Sequence, residues 1–515
     1  MSGSVTVPGT SGSAVTVAPG TGDVLHLAAQ IGVLLGASSM AGGLDIVTTS
    51  GSIGPAPALT PPQSATELVL SGTGPGNATI PAGYNYVVNT ATGPTTLTGS
   101  NVEIVGGTIG SAYNVSGNST VAATGGDNTV SASGTYVLSF GPGHNMVFAD
   151  GSGTIAAGSG STSINAAGSG NLIAAGLGAT TINSGGSNNS IFGDYNAPGG
   201  IITAMLAGSG DVVGLGDSSG NVTTSGSGAY VQGGTAGSTL SVVDTGSHDL
   251  FDGIASNVTA SLGGSAAYLQ GGAAGSSVSV VDTGANDTIN ALSSALTVTA
   301  SGNSTGLVVG GGSGPLTFVG GGNTSTIFGS STGSTVTAGT GGIVFAATSG
   351  ADSVSAMAGG TSTIFGTPGN NLTFGGAGAL IYAAGAGNET LNAATASGNL
   401  TVFGGSGADS LATGSGDDSI LAGGGSDTLN AGSGINQVFF ANGITGGAGV
   451  TDFVTDSVAN IANDTFTFIG YGTAPSESVV DNQVTLTLSD NTKVVFTNLT
   501  SESQLTGHIN IFNPS

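Results

Sequence analysis

The chain has 515 residues, 99 of them glycine, with 38% hydrophobic and 5% aromatic content, no cysteine, and 27 acidic residues against one lysine, for a net charge of −26. Neutralising phosphates takes lysine and arginine, so nucleic acid is not an expected partner, and without cysteine there is neither a disulfide nor a thiolate–metal site. Glycine without a three-residue period excludes collagen, and hydrophobic residues recurring at short intervals point to a thin core of Val, Ile, Leu and Ala rather than to disorder.

The opening residues MSGSVTVPGT lack a basic stretch followed by an apolar one, so a cleaved Sec leader is not expected and export would rest on a carboxy-terminal signal. The longest apolar run, Val24 to Leu35, is broken by His26 and Gln30 and is too short to span a bilayer; no transmembrane segment is expected. Leu25 to Leu35 reads as one short helix, serving either as a cap over the end of the core or as a contact for self-assembly. Pro55, Pro57, Pro61 and Pro62 mark a hinge, so residues 1–62 form an N-terminal cap or assembly segment. Residues 63–150 carry short β-rich runs such as ELVLSG, YNYVVNT and NVEIVGGTIG, the irregular start of a solenoid, with TGGDNTVSA at 124–132 as an early repeat.

From 151 to 403 the repetition is clearer but degenerate. AYVQGGTAGSTLSVVDTGSHDL at 229–250 returns as AYLQGGAAGSSVSVVDTGANDT at 267–288, an offset of 38 residues. Aliphatic residues at Ile327, Val336, Val344, Val354, Ile364, Leu372, Ile381, Leu391 and Val402 follow one another at intervals of about nine, and the spacing runs on through Leu411, Ile420, Leu429 and Val438. Two echoes of a metal loop accompany it, SGADSVSA with Asp352 and GAGNETLNA with Glu389. Self-similarity at a fixed period without helical spacing is the signature of stacked β coils. The expected fold class is all-β, a parallel β-solenoid of β-roll or β-helix type with a short helical segment before it and a small β-rich cap after it.

The most regular stretch is 404–440, where GGSGADSLA, TGSGDDSIL, AGGGSDTLN and AGSGINQVF follow without insertion. Asp409, Asp418, Asp427 and Asn436 hold the sixth place of the unit, and Leu411, Ile420, Leu429 and Val438 the eighth. The pattern resembles the calcium-binding nonapeptide of repeats-in-toxin (RTX) proteins, G-G-x-G-x-D-x-U-x. Glycines let the turn curl its carbonyls toward one point, the carboxylate supplies charge, and six to eight oxygen ligands suit calcium. The resemblance implies a Ca2+ cofactor, with metal ligands drawn from Gly405, Gly407, Asp409, Gly414, Gly416, Asp418, Gly423, Gly425, Asp427, Gly432, Gly434 and Asn436. It also implies that each ion sits between turns one coil apart, so that Asp409 works with Asp427 and Asp418 with Asn436. Thr413, Ala422 and Ala431 replace the first glycine and Asn436 is a neutral ligand, so one or two strong sites are expected in this block.

Residues 441–515 alternate polar and apolar in strand fashion, with DTFTFIG, VTLTLSD, KVVFTNL and INIF; the strands on either side of Ser489 to Thr492 read as a hairpin. An acidic β-rich tail after such repeats resembles the carboxy-terminal region of proteins exported by type I secretion, and it would cap the last coil. No catalytic constellation is visible. His26, His144, His248 and His508 are scattered, none lies in H-E-x-x-H, and His248 with Asp249 and Asp252 reads as a solvated turn, whereas Asp287 in the next repeat reads as a calcium-loop position. The expectation is a non-enzymatic, secreted, calcium-binding structural protein at the surface of a Gram-negative bacterium. It would assemble as a homo-oligomer or polymer into a surface layer, filament or biofilm matrix, with the type I secretion machinery and a cell-surface polysaccharide as candidate partners. The alternatives are an adhesin with a solenoid stalk and a calcium-dependent β-helix enzyme acting on polysaccharide. The latter is disfavoured because Lys493 is the chain's single basic side chain of the kind lyases commonly use.

Overall fold

A computed structural model describes residues 5–8, 14–17, 43–194, 199–447 and 449–514. Among the described residues the fold is all-β: parallel coils stack as a β-solenoid, about 22 turns in all, with almost no helix. Among the described residues no helix is long and apolar enough to cross a membrane, and the helix expected at Leu25 to Leu35 lies outside them. Each coil gives one strand to each of two parallel sheets. Side chains on a strand alternate between faces, so the inward ones of both sheets meet in a narrow core, as in Ser277–Asp282, where exposed and buried positions alternate throughout.

The chain divides into two compact units, 1–259 and 260–515. In the first, Leu44–Thr49 already pairs in register with Ala65–Leu70 across the proline segment, so winding begins ahead of Pro55. Leu68, Val87, Ile104, Val121, Leu138 and Ile155 then lie one above the next, followed by Ile173, Ile191, Val213 and Val231. All are fully buried, each contributing roughly 1.5–3 kcal/mol. The antiparallel pair Val5–Pro8 and Ala14–Val17 precedes them in the chain.

In the second unit one core column runs Ile327, Phe345, Ile364, Tyr382, Val402, Ile420, Val438 and Phe466. Two expected core positions are therefore corrected: Val344 is half-buried and Ile381 is 39% exposed, while their neighbours Phe345 and Tyr382 fill the core. Coils differ in length, with ladder partners 18 residues apart at one turn and 20 at another. Val344 lies eight residues after Val336, where the core residue Phe345 is the ninth, and Ile381 lies nine after Leu372, where the core residue Tyr382 is the tenth; a slip of one flips the side chain to the other face. The core is also not purely aliphatic, since Phe318, Phe345, Phe374 and Tyr382 are fully buried here, as are Tyr113, Tyr136 and Phe140 in the first unit.

The carboxy-terminal region caps the solenoid by continuing it. Thr465–Ile469 and Ile509–Phe512 extend one sheet, and Thr451–Val454 and Lys493–Phe496 the other. The expected hairpin is present, with Gln483–Thr487 antiparallel to Lys493–Phe496. Phenylalanines close this end of the core: Phe440 stacks on Phe468 at 5.3 Å, and Phe466 meets Phe496 edge-on at 4.8 Å.

Candidate metal centre

The four nonapeptides form two turn columns. Their short strands Ser410–Ala412 and Thr428–Asn430 belong to one sheet, Ser419–Leu421 and Gln437–Ala441 to the other, and Leu411 pairs with Leu429 as Ile420 does with Val438. The eighth-place side chains thereby anchor each turn in the core, and the sixth-place side chains point inward just before the strand; Asp409, Asp418, Asp427 and Asn436 are all buried. The structure brings together the pairs expected from sequence. The Asp409 backbone N–H donates to Asp427 Oδ1 at 2.9 Å, and that of Asp418 to Asn436 Oδ1 at 2.9 Å.

Glycine has two separate roles in these turns. Gly405, Gly425, Gly432 and Gly434 have positive φ, the left-handed region that glycine enters freely. Gly407, Gly414, Gly416 and Gly423 do not; they are glycine because a Cβ there would collide with a backbone carbonyl one coil back, that of Gly387, Ala396, Gly398 and Gly404 respectively. Coil-to-coil approach, as much as turn curvature, sets the motif.

Both columns run past the nonapeptides. Upstream, the Glu389 N–H donates to Asp409 Oδ1 at 2.8 Å. Downstream, the Asp427 N–H donates to Asp452 Oδ1 at 3.1 Å, and Asn436 gives both its backbone N–H and its side-chain Nδ2 to Asp464 Oδ1, at 3.1 and 2.9 Å. Asp452 and Asp464 went unnoticed in the sequence. Both carry the residual signal of an acidic residue two places before a core residue, Val454 and Phe466, which pair with Leu429 and Val438. Of the two upstream echoes, Glu389 joins this ladder. Asp352 does not, because Ser334 N–H and Asn370 Nδ2 satisfy its two oxygens at 2.9 and 3.0 Å.

In the ladder each carboxylate uses one oxygen. Glu389 Oε2 and the Oδ2 atoms of Asp409, Asp418, Asp427, Asp452 and Asp464 are buried without a hydrogen-bond partner. Burial pushes Asp409 and Asp452 up to about 7, helped by Glu389 and Asp427 beside the first and Asp427 beside the second; it pushes Asp418, Asp427 and Asp464 up to about 6. An unpaired buried carboxylate oxygen is costly. Bound calcium would supply the missing positive charge. Among the described residues no three His, Asp or Glu side chains converge on one point, so an ion here would draw on one or two carboxylates and complete its shell from turn carbonyls. The donor set is all oxygen, as calcium requires.

In several coils of the first unit the same turn position holds amides, which work differently. Asn128 Nδ2 donates to the carbonyls of Gly125 and Gly126 at 3.0 and 2.9 Å and to Asn145 Oδ1 at 3.0 Å. Asn171 Nδ2 reaches Gly168 O at 2.9 Å and Asn189 Oδ1 at 3.0 Å, and Asn189 Nδ2 reaches Gly186 O at 3.0 Å. The –NH2 group closes the turn internally, with a neutral donor in the place a cation would take. Asn436, expected as a neutral ligand, makes a bond of this kind to Asp464.

A family model for the RTX calcium-binding nonapeptide repeat, in four copies, matches residues 403–438. No curated protein and no solved structure is significantly similar to the chain.

Proposed function

Starting from a chain that carries RTX calcium-binding nonapeptide repeats on a β-solenoid, we propose that it is a secreted, non-catalytic structural protein whose carboxy-terminal coils are locked by calcium and whose sheets mediate assembly outside the cell. RTX repeat proteins are typically secreted by Gram-negative bacteria, and type I export fits the family. The observation that carries the calcium part is the run of buried carboxylates with one oxygen each left unpartnered. In this reading Asp409 with Asp427, Asp427 with Asp452, Asp418 with Asn436, and Asn436 with Asp464 hold ions together with carbonyls of the glycine turns, among them those of Gly405, Gly407, Gly414, Gly416, Gly423, Gly425, Gly432 and Gly434. The metal-locked segment thus extends beyond the matched repeats.

The assembly part is supported by an outward stripe in the second unit. Phe328, Phe365 and Phe403 are 52%, 49% and 44% exposed, and in the ladder they alternate with Ala346 and Ala383. Neighbouring strands lie about 4.8 Å apart, so the rings repeat at roughly 10 Å with a small residue between them, a spacing into which a second copy's rings can fit. Electron microscopy of the protein in calcium and after chelation tests the proposal, with Phe365→Ser/Phe403→Ser beside the wild type. Ordered sheets or fibres that dissolve in chelator and are lost in the double variant are expected; monodisperse particles under all conditions would remove the assembly role.

A further inference from the structure

We propose that the turn 244–249 in the first unit is an additional site for a hard divalent cation of the calcium class, outside the matched repeats. Asp244 ends the strand Thr239–Asp244, and Asp249 precedes the strand Leu250–Asp252. The expected solvated turn is only partly so: His248, at φ 57°, is exposed, but Asp244 and Asp249 are each 1% exposed. Asp244 Oδ1 accepts from Thr224 Oγ1 at 2.8 Å and from Gly246 N–H at 2.7 Å, while Asp249 Oδ1 accepts from Ala229 N–H at 2.8 Å. The Oδ2 atom of each is buried with no hydrogen-bond partner.

One oxygen of each carboxylate faces the same space, Asp249 through its unpartnered Oδ2 and Asp244 through the Oδ1 that Thr224 and Gly246 also bond. The position a side chain on Gly246 would occupy lies 2.6 Å from Asp249 Oδ2, 3.3 Å from Asp244 Oδ1 and against the Gly226 carbonyl oxygen. Glycine therefore leaves open a cradle lined by two carboxylates and a carbonyl, and the chain's only lysine or arginine is Lys493. Two buried carboxylates meeting at one point need a proton or a cation between them. The donors are oxygens without nitrogen or sulfur, which selects a hard cation over zinc or copper. The second copy of the D-T-G-x-x-D turn, at 282–287, shows the same construction: the side-chain position of Gly284 faces Asp287 Oδ2 and lies 2.6 Å from the Gly264 carbonyl oxygen. There, however, the Ser304 hydroxyl donates to Asp282 Oδ2, closing part of the cradle.

The test counts bound calcium on the full chain by equilibrium dialysis, comparing wild type with Asp249→Asn. Asparagine keeps the Oδ1 acceptor, and the same turn column already accommodates Asn171 and Asn189. One calcium fewer per chain is expected, with the other sites unchanged; an unchanged count overturns the proposal. A second measurement needs no variant. Ferrous ion loaded in place of calcium, with ascorbate and peroxide, should cut the wild-type backbone close to 226 and 244–249, and excess calcium should protect; no cut there also overturns it. Calcium retained by the wild type with an unchanged count in Asp249→Asn defeats this site alone, whereas a wild-type chain that binds no calcium defeats the calcium reading of the repeats as well.

Discussion

Asp427→Asn should stabilise the protein without calcium and destabilise it with calcium. Asp427 Oδ1 accepts the Asp409 N–H at 2.9 Å, its own N–H goes to Asp452 Oδ1 at 3.1 Å, and its Oδ2 is buried without a partner. Asparagine preserves the first two bonds and puts a donor where the orphaned oxygen was. Asn189 is the template, since its Nδ2 reaches the carbonyl three residues earlier at 3.0 Å; the counterpart acceptor at position 427 is the Gly424 carbonyl. Relieving one unsatisfied buried group is worth about 1–3 kcal/mol, and that is the gain expected in chelator. In calcium the variant forfeits the linkage of the two ions that Asp427 shares with Asp409 and with Asp452, about 2.7 kcal/mol each at a hundredfold excess over the dissociation constant, which outweighs the gain. Urea unfolding of both proteins, followed by circular dichroism in chelator and in calcium, should give midpoints that change order between the two conditions. A variant weaker than wild type in chelator would refute the argument, because Oδ2 would then have to be satisfied without metal.

The pH dependence follows from the same carboxylates. Folded values of about 6 to 7 lie above the ordinary unfolded value of about 3.9, so their contribution is fully present below the unfolded value and disappears as pH rises through 6 to 7. Chelated protein should therefore be more stable at pH 5 than at pH 8, while calcium affinity should fall from pH 8 to pH 5 as protons compete; a flat urea midpoint in chelator would contradict this. The reciprocal substitution Asn189→Asp removes the Nδ2 bonds to Ser184 Oγ and Gly186 O and sets a second carboxylate beside Asp211. It should cost about 1–3 kcal/mol in chelator, with part of the loss recovered in calcium. Gly416→Ala would push a methyl group into the Gly398 carbonyl and should cost about 1–3 kcal/mol with or without calcium. A loss confined to calcium would mean that Gly416 serves the metal rather than the stacking.

What was legible in the sequence is what one residue specifies locally. An acidic residue followed two places later by an aliphatic one fixes both a turn and its anchor, while the pairing of Asp409 with Asp427 and of Asp418 with Asn436 was implied by the resemblance to the RTX nonapeptide, and the structure brings both pairs together. Long-range register was less legible, because turns absorb insertions without disturbing the strands: the coil reaching Asp452 spans 25 residues and the one reaching Asp464 spans 28, and both still deliver a carboxylate to the ladder. Val344 and Ile381 were misplaced for a related reason: steps of about nine do not fix which of two adjacent apolar residues faces inward, and at both places the aromatic neighbour, Phe345 or Tyr382, takes the core. The difference between Asp and Asn at the sixth place was the hardest to read. In the repeat pattern asparagine looks like a weakened ligand, yet in three dimensions its second donor turns toward the turn carbonyls, as at Asn128 and Asn171. A carboxylate at that place leaves an oxygen that a cation or proton must satisfy unless a neighbouring donor reaches it, as at Asp211 and Asp352, while an amide satisfies the turn by itself. The choice between those two side chains, made coil by coil, therefore determines which coils need calcium and which stand without it.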